Sequence, residues 1–78
     1  MLRVTLYTKV GCHLCEDVKA ELAALRALYP HELVEVDITQ DDALYGRYRY
    51  TIPVLHIGTS VLHAPIDRTQ LIHALQQG

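Results

Sequence analysis

The 78-residue sequence predicts an α/β fold in the order β-α-β-α-β-β-α, with a four-stranded mixed sheet and helices on both faces. This fold is predicted from three segments in succession. An alternating apolar segment is followed by a segment with helical periodicity, and a second alternating segment comes next. Strand, helix and strand at this separation are typical of a βαβ unit with parallel strands. The length suits one small core, so we expect residues 1–78 to form a single domain.

The first βαβ unit is predicted from three consecutive patterns. Residues 2–7 alternate between apolar and polar side chains and predict the first strand. From Cys12 onward apolar side chains recur at helical spacing until Pro30 stops the helix. These apolar residues are Leu14, Val18, Leu22, Leu25 and Tyr29. Residues 33–38 alternate again and predict the second strand.

A short second helix is predicted over residues 40–48. Thr39 is the expected N-cap, and Asp42 is the acidic residue at the third helical position. Three tyrosines follow closely, and we expect them to pack this helix or to form a wall against a substrate. They are Tyr45, Tyr48 and Tyr50.

A hairpin is predicted from two short apolar runs, residues 54–57 and 60–63. Gly58 opens the two-residue connection and suits a type II′ turn. His56 and His63 fall on the same side of this hairpin, where packing beneath a helix is a commoner role than metal binding. The two remaining histidines outside the cysteine motif, His31 and His73, belong to no evident cluster.

The last helix has consistent start signals. Asp67 is the expected N-cap, and Gln70 completes a capping box with it. Ile66 and Leu71 flank this pair at the positions of a hydrophobic staple. This helix is the last element of the predicted order β-α-β-α-β-β-α.

Charge and composition exclude several classes of function. The formal charge is −2, and the basic residues are scattered, with only Arg47 and Arg49 close together. This distribution argues against a nucleic-acid partner. Neither a signal peptide nor a transmembrane run is evident, so we expect a cytoplasmic monomer with no membrane partner.

Both cysteines of the chain, Cys12 and Cys15, form a Cys-x-x-Cys motif at the predicted start of the first helix. Unpaired N–H groups and the helix dipole favour negative charge there, so we expect Cys12 to ionise below the free-cysteine pKa of about 8.5. Cys15 lies one turn further on the same side. The sequence thus predicts Cys12 as the exposed nucleophile and Cys15 as the buried resolving thiol of a redox site.

Other interpretations of the motif remain open. A structural disulfide would close a very short loop, worth about 2 kcal/mol, in a compartment that keeps thiols reduced. Zinc would need four ligands, and Cys12, Cys15 and His13 supply three. An iron–sulfur carrier would need a second chain to complete four thiolates. His13 and Lys9 either stabilise the thiolate or bind substrate, or they are simply solvated side chains.

Three segments make the whole chain resemble a glutaredoxin of the thioredoxin superfamily, and in particular the bacterial glutaredoxin-like proteins with a Cys-His-Leu-Cys site. The segments are Tyr7-Thr8-Lys9, Cys12-His13-Leu14-Cys15-Glu16 and Thr51-Ile52-Pro53. The resemblance implies a thioredoxin fold and thiol–disulfide oxidoreductase activity. It also implies that Pro53 is a cis-proline and that Thr51, Ile52 and Pro53 contact an extended substrate.

The chain departs from the family at the site that usually holds glutathione. The family's Gly-Gly pair is absent, and His63-Ala64-Pro65-Ile66 occupies that stretch. Only the acidic residue remains, as Asp67, which the resemblance implies in substrate binding. No bound cofactor is expected. The substrate is a disulfide-containing protein or a small thiol, and either glutathione or a reductase supplies the electrons.

Overall fold

The computed structural model describes residues 1–77, so Gly78, the last residue of the predicted domain, lies outside it. The strands and α-helices of this part of the chain follow the predicted order, with a short 3-10 helix in addition. Their bounds are β1 Leu2–Thr8, α1 His13–Leu25, β2 His31–Asp37, the 3-10 helix Ile38–Gln40, α2 Asp42–Tyr48, β3 Val54–Ile57, β4 Ser60–His63 and α3 Arg68–Gln77.

The four strands form one mixed sheet in the order β2-β1-β3-β4. β1 is parallel to β2 and antiparallel to β3, and β3 is antiparallel to β4. The central position of β1 follows from its neighbours, because α1 returns the chain to a parallel partner and the later hairpin covers the other edge. This topology confirms the predicted fold class.

The main core lies between one face of the sheet and the helices α1 and α3. Val4, Leu6, Leu55 and Ile57 project from β1 and β3 toward these helices, and all are buried. The helices contribute Val18, Leu22, Leu25, Leu71, Ala74 and Leu75. Full burial of one Leu or Ile side chain stabilises the fold by about 1.5–3 kcal/mol, so this layer holds α1 firmly on the sheet.

The opposite face of the sheet is covered by α2 and the 3-10 helix over a smaller core. Ile38, Tyr48 and Val54 are its buried residues. The Tyr7 ring packs against Tyr48 with ring centroids 4.9 Å apart and against the edge of His56 at 5.1 Å. This ring contact with Tyr7 favours the packing interpretation of His56, whose buried Nε2 atom has no hydrogen-bond partner within residues 1–77.

Several element boundaries differ from the sequence prediction. Helix α1 ends at Leu25 rather than near Pro30, because the N–H groups of Arg26 and Leu28 bond to carbonyls three residues earlier and tighten the chain into a turn. Strand β2 begins at His31 and ends at Asp37. His31 is buried, and its Nδ1 lies 2.8 Å from the carbonyl oxygen of Tyr29, a role that the sequence did not indicate.

The predicted N-cap of α2 was wrong. Asp41, not Thr39, caps this helix, and its Oδ1 accepts from the N–H groups of Ala43 and Leu44 at 2.9 and 3.1 Å. Thr39 instead lies in the preceding 3-10 helix, whose cap is Asp37. A carboxylate is a better cap than a threonine hydroxyl, which explains why the helix begins after Asp41 rather than at residue 40.

The hairpin and the start of α3 were predicted correctly. Gly58 has a φ of 58°, and the two hairpin strands pair as expected, with His56 and His63 on one side of the sheet. Asp67 and Gln70 exchange two hydrogen bonds of 2.8 Å, which completes the capping box. Within residues 1–77 no helix is both long enough and apolar enough to cross a membrane.

Candidate active site

The two cysteines lie where the loop after β1 enters α1. The loop turns at Gly11, whose φ of 85° is strained for residues with a side chain. The N–H of Cys12 then donates to the carbonyl oxygen of Lys9 at 3.3 Å. Because β1 is a central strand of the sheet, this turn places Cys12 beside the carboxyl-terminal end of β1, in the middle of the sheet.

Cys12 is the N-cap of α1, with extended backbone angles of φ −87° and ψ 102°. Its sulfur accepts a hydrogen bond from the N–H of Cys15 at 3.2 Å. The two cysteines form a disulfide, and their Cα atoms are 5.2 Å apart. The helix start therefore brings both sulfurs together and directs the N–H group of Cys15, which lies in the first turn, at the sulfur of Cys12.

The two sulfurs differ in exposure. Cys15 is 1% exposed and lies on the buried side of α1, whereas Cys12 is partly exposed at the end of the helix. Next to it, His13 is exposed at the first helical position, and Leu14 is 58% exposed although it is apolar. A molecule approaching from solvent meets the sulfur of Cys12 before that of Cys15.

A groove of about 130 Å³ runs beside the exposed side of this helix start. It is lined by Leu14, Asp17, Val18, Glu21, Pro53, Pro65 and Ile66. The Ile52–Pro53 bond is cis, in agreement with the resemblance, and Pro53 is buried against the groove floor. The structure thus brings Pro53 to the helix that contains both cysteines.

Thr51 and Ile52 are held at the end of α2 by a compact turn. Their N–H groups donate to the carbonyl oxygen of Tyr48 at 2.9 and 3.1 Å. The Thr51 hydroxyl also lies 3.3 Å from this oxygen. Ile52 also packs against the small core that contains Tyr48, so the segment that enters Pro53 has a defined path.

The stretch before α3 replaces the glycine pair of glutaredoxins with side chains. Ala64–Pro65 is a second cis peptide bond, which the sequence analysis did not predict. Pro65 and Ile66 fill one wall of the groove. Asp67 follows them directly, but one carboxylate oxygen is already bonded to the N–H of Gln70.

Lys9 lies in a separate depression rather than in the groove of Pro53. This depression has a volume of about 300 Å³, and its lining is Thr8, Lys9, Val10, Glu16, Glu35 and Asp37. The hydroxyl and the N–H of Thr39 both donate to Asp37, and these bonds hold the pKa of its carboxyl below the ordinary value of 3.8. Lys9 therefore has carboxylate neighbours close to the cysteine loop.

Metal-ligand side chains do not converge elsewhere in the described chain. Within residues 1–77, no group of three or more His, Cys, Asp or Glu side chains is placed to hold a metal ion. His13 is exposed beside Cys12. The chain alone therefore offers the sulfur pair, and any four-thiolate cluster would need thiolates from outside it.

Pro65, Ile66 and the exposed Leu14 are groove residues that the sequence analysis did not assign to a site. Apolar residues beside a helix start are equally consistent with core packing, so their composition alone gave no signal. The sequence signal for these residues is Pro65, which stands in the stretch where glutaredoxins have glycines. Its place in the groove depends on how the β4–α3 connection packs against α1.

The fold and the disulfide at the first helix start define a protein of the thioredoxin superfamily. The chain matches the family "Glutaredoxin-like domain (DUF836)" over residues 3–76, and it belongs to this family. Its structure is similar to protein XcR50 from X. campestris, with 32% identity over 96% of this chain and 97% of that one and a TM-score of 0.82.

Two further structures extend the comparison. Protein Ne2328 from Nitrosomonas europaea is 28% identical over 92% of this chain and 88% of that one, with a TM-score of 0.77. Mitochondrial thioredoxin 3 from Saccharomyces cerevisiae, in its oxidized form, is 16% identical over 99% of this chain and 78% of that one, with a TM-score of 0.75. The second likeness concerns the fold alone.

Proposed function

We propose that the protein is a thiol–disulfide oxidoreductase in which Cys12 attacks the substrate and Cys15 resolves the product. The observation that supports this most directly is the unequal exposure of two bonded sulfurs on one helical turn. The outer sulfur lies at the helix N-terminus, where a thiolate is stabilised by backbone N–H groups and the helix dipole. The family and the fold agree with redox chemistry at this position.

The reaction begins with the reduced protein. The Cys12 thiolate attacks one sulfur of a substrate disulfide, the substrate S–S bond breaks, and one substrate thiolate leaves. Cys15 then loses its proton and attacks the Cys12 sulfur, which releases the second substrate thiolate. The substrate gains two electrons, and its two thiolates take up the proton of Cys15 and one proton from solvent. The protein is left with the Cys12–Cys15 bond found in the structure.

The groove beside the helix start is the binding site that we propose for the substrate. Leu14, Val18 and Ile66 offer apolar contacts. The segment Thr51 to Pro53 offers carbonyl groups to an extended chain, because the N–H groups of Thr51 and Ile52 already bond to Tyr48. Pro65 occupies the wall where glutaredoxins have glycines and leaves less room for glutathione. A protein disulfide is therefore the preferred substrate, and a dithiol reductase is the preferred source of electrons in the cytoplasm.

Substitution of each cysteine tests the assignment. Cys12→Ser should abolish reduction of a disulfide-linked peptide, because the serine hydroxyl does not attack a disulfide sulfur as a thiolate does. Cys15→Ser should instead accumulate a mixed disulfide between Cys12 and the substrate, seen as a mass increase that dithiothreitol reverses. Undiminished activity in Cys12→Ser would contradict the proposal.

The electron donor and the rival function can be tested with the wild-type protein. Reduction of the Cys12–Cys15 bond should be faster with a thioredoxin-reductase system than with glutathione. Protein isolated without oxygen should be colourless and monomeric if its cysteines serve dithiol exchange. Visible absorbance together with iron in a dimer would instead support an iron–sulfur carrier.

A further inference from the structure

Four exposed residues lie between positions 45 and 50, at the end of α2, and the redox chemistry does not use them. Tyr45, Arg47, Arg49 and Tyr50 are all exposed, and Tyr50 is 84% exposed although it is aromatic. We call these four residues the Arg/Tyr surface. Tyr and Arg are the residues most enriched at the energetic centres of protein interfaces.

The guanidinium groups of this surface are held by rings rather than by carboxylates. The Arg49 guanidinium carbon lies 4.6 Å from the centre of the Tyr50 ring and 5.8 Å from that of Tyr45. Arg47 lies over the ring of the buried Tyr48 at 5.5 Å. Stacking restricts both side chains before any partner binds, which lowers the entropy cost of association.

Within the described residues 1–77, neither arginine of the surface has a carboxylate partner. The ion pairs in this part of the chain involve three other basic residues, Arg3, Lys19 and Arg68. The N–H donors of Arg47 and Arg49 are therefore available to an external carboxylate. In a protein with a formal charge of −2, this gives one local concentration of positive charge.

A short hydrogen-bonded turn connects the Arg/Tyr surface to Pro53 in the groove. The N–H groups of Thr51 and Ile52 both bond to the carbonyl oxygen of Tyr48, so the turn between α2 and Pro53 is compact. Three residues separate Arg49 from Pro53, so four Cα-to-Cα steps limit the distance between their Cα atoms to about 14 Å. A substrate segment of a few residues can span that distance.

We propose that the Arg/Tyr surface docks an acidic segment of the protein whose disulfide is exchanged at Cys12. The inference rests on the proposed function and adds the class of substrate. The carboxylates of the segment pair with Arg47 and Arg49, and its aliphatic parts lie on Tyr45 and Tyr50. A nucleic acid fits less well, because two cations in an acidic protein give few phosphate contacts.

Binding is tested first without chemistry. The oxidised protein, labelled with ¹⁵N, is titrated with a linear peptide rich in glutamate in which serines replace the cysteines. The amides of residues 45–50 should shift with the acidic peptide and not with a peptide of the same length in which glutamines replace the glutamates. Absence of these shifts would overturn the proposal, as would shifts there with single-stranded RNA alone.

Turnover gives the second test. Two peptides with one internal disulfide each, flanked by glutamates or by glutamines, are compared as substrates of the reduced protein. At low salt the acidic peptide should have a kcat/KM about tenfold higher, and this preference should fall with added salt. The double variant Arg47→Gln, Arg49→Gln should lose the preference and keep its activity toward the glutamine peptide.

A matched variant separates the surface from net charge. Arg3→Gln with Arg26→Gln removes the same charge at the ends of β1 and α1 that are distant from the cysteines, and it should retain the preference. Equal loss in both double variants would overturn the proposal. Failure to reduce even the glutamine peptide would contradict the proposed redox function alone, because the amide shifts report docking independently.

Discussion

The first turns of α1 and α3 each have backbone N–H groups without an acceptor in the helix, and the two helices satisfy them with different atoms. At α3, Asp67 and Gln70 satisfy two backbone N–H groups with oxygen acceptors at 2.8 Å. At α1, the cap is the sulfur of Cys12, which accepts from the N–H of Cys15 at 3.2 Å. Sulfur is the weaker acceptor, so α1 begins with less stabilisation from its cap than α3.

The difference agrees with the proposed redox function, because the start of α1 gives up cap stabilisation and places a sulfur where α3 has a carboxylate. A carboxylate at position 12 would cap the helix well but could not exchange disulfides. The main core compensates, because Val18, Leu22 and Leu25 hold α1 on the sheet regardless of its cap. A helix whose position is fixed by packing can have a reactive thiolate at its first turn.

The largest effect is expected when the cap of α1 is made like that of α3. Cys12→Asp should eliminate disulfide reduction completely, because the attacking sulfur is gone. Compared with Cys12→Ala, its free energy of unfolding should be about 1 kcal/mol higher, since only aspartate accepts from the first-turn N–H groups. Chemical denaturation of both variants under reducing conditions measures this difference.

Equal stability of these two variants would show that position 12 does not cap the helix. Both variants lack the disulfide, so the comparison contains no contribution from the S–S bond. Residual disulfide reduction in either would contradict the assignment of Cys12 as the nucleophile.

A smaller effect is expected from breaking the capping box of α3. Asp67→Ala should lower the free energy of unfolding by about 1 kcal/mol, because the N–H of Gln70 loses its acceptor. Asp67→Asn should stay close to wild type, since the asparagine oxygen caps equally well. Thermal and urea unfolding of the pair measure the cap.

The same pair also tests the substrate role of Asp67. If its charge binds substrate, as the resemblance implies, Asp67→Asn should raise KM while leaving stability unchanged. An unchanged KM in the asparagine variant would leave this residue with a capping role only.

The smallest effect concerns the cap of the 3-10 helix. Hydrogen bonds from Thr39 lower the pKa of Asp37, so its ionised form stabilises the folded state. This contribution is fully present above pH 3.8 and is lost as the pH falls through the lower pKa of the folded state. Wild type should exceed Asp37→Asn in stability at neutral pH, and the difference should shrink in acid. A constant difference in unfolding midpoints across this range would contradict the assignment.

Local patterns were sufficient to predict most of the fold. The period of two in β1 and the capping box at Asp67 depend on neighbouring residues only, and the structure confirms both. The errors arose where two local signals competed. Asp41 lies two residues after Thr39, and the sequence could not show which of them would cap α2 until Asp37 was seen to bond Thr39.

The sequence predicted the two cysteines of the site but only part of the groove beside them. Cys12 and Cys15 are adjacent on one helix, so their spacing alone brings them together. Pro53 is remote in sequence, and its place in the groove was expected only through the family resemblance. Pro65 and Ile66 approach α1 through tertiary packing between α1 and α3, which no local pattern encodes.

The unequal burial of the two sulfurs also has a practical consequence. In the reduced protein, a maleimide or spin-label reagent would reach Cys12 at the helix end and would be excluded from Cys15, which is 1% exposed. A chain with two cysteines would therefore accept one probe without any substitution. The label would lie two residues before Leu14, which lines the groove, so its fluorescence or mobility could report the arrival of a ligand.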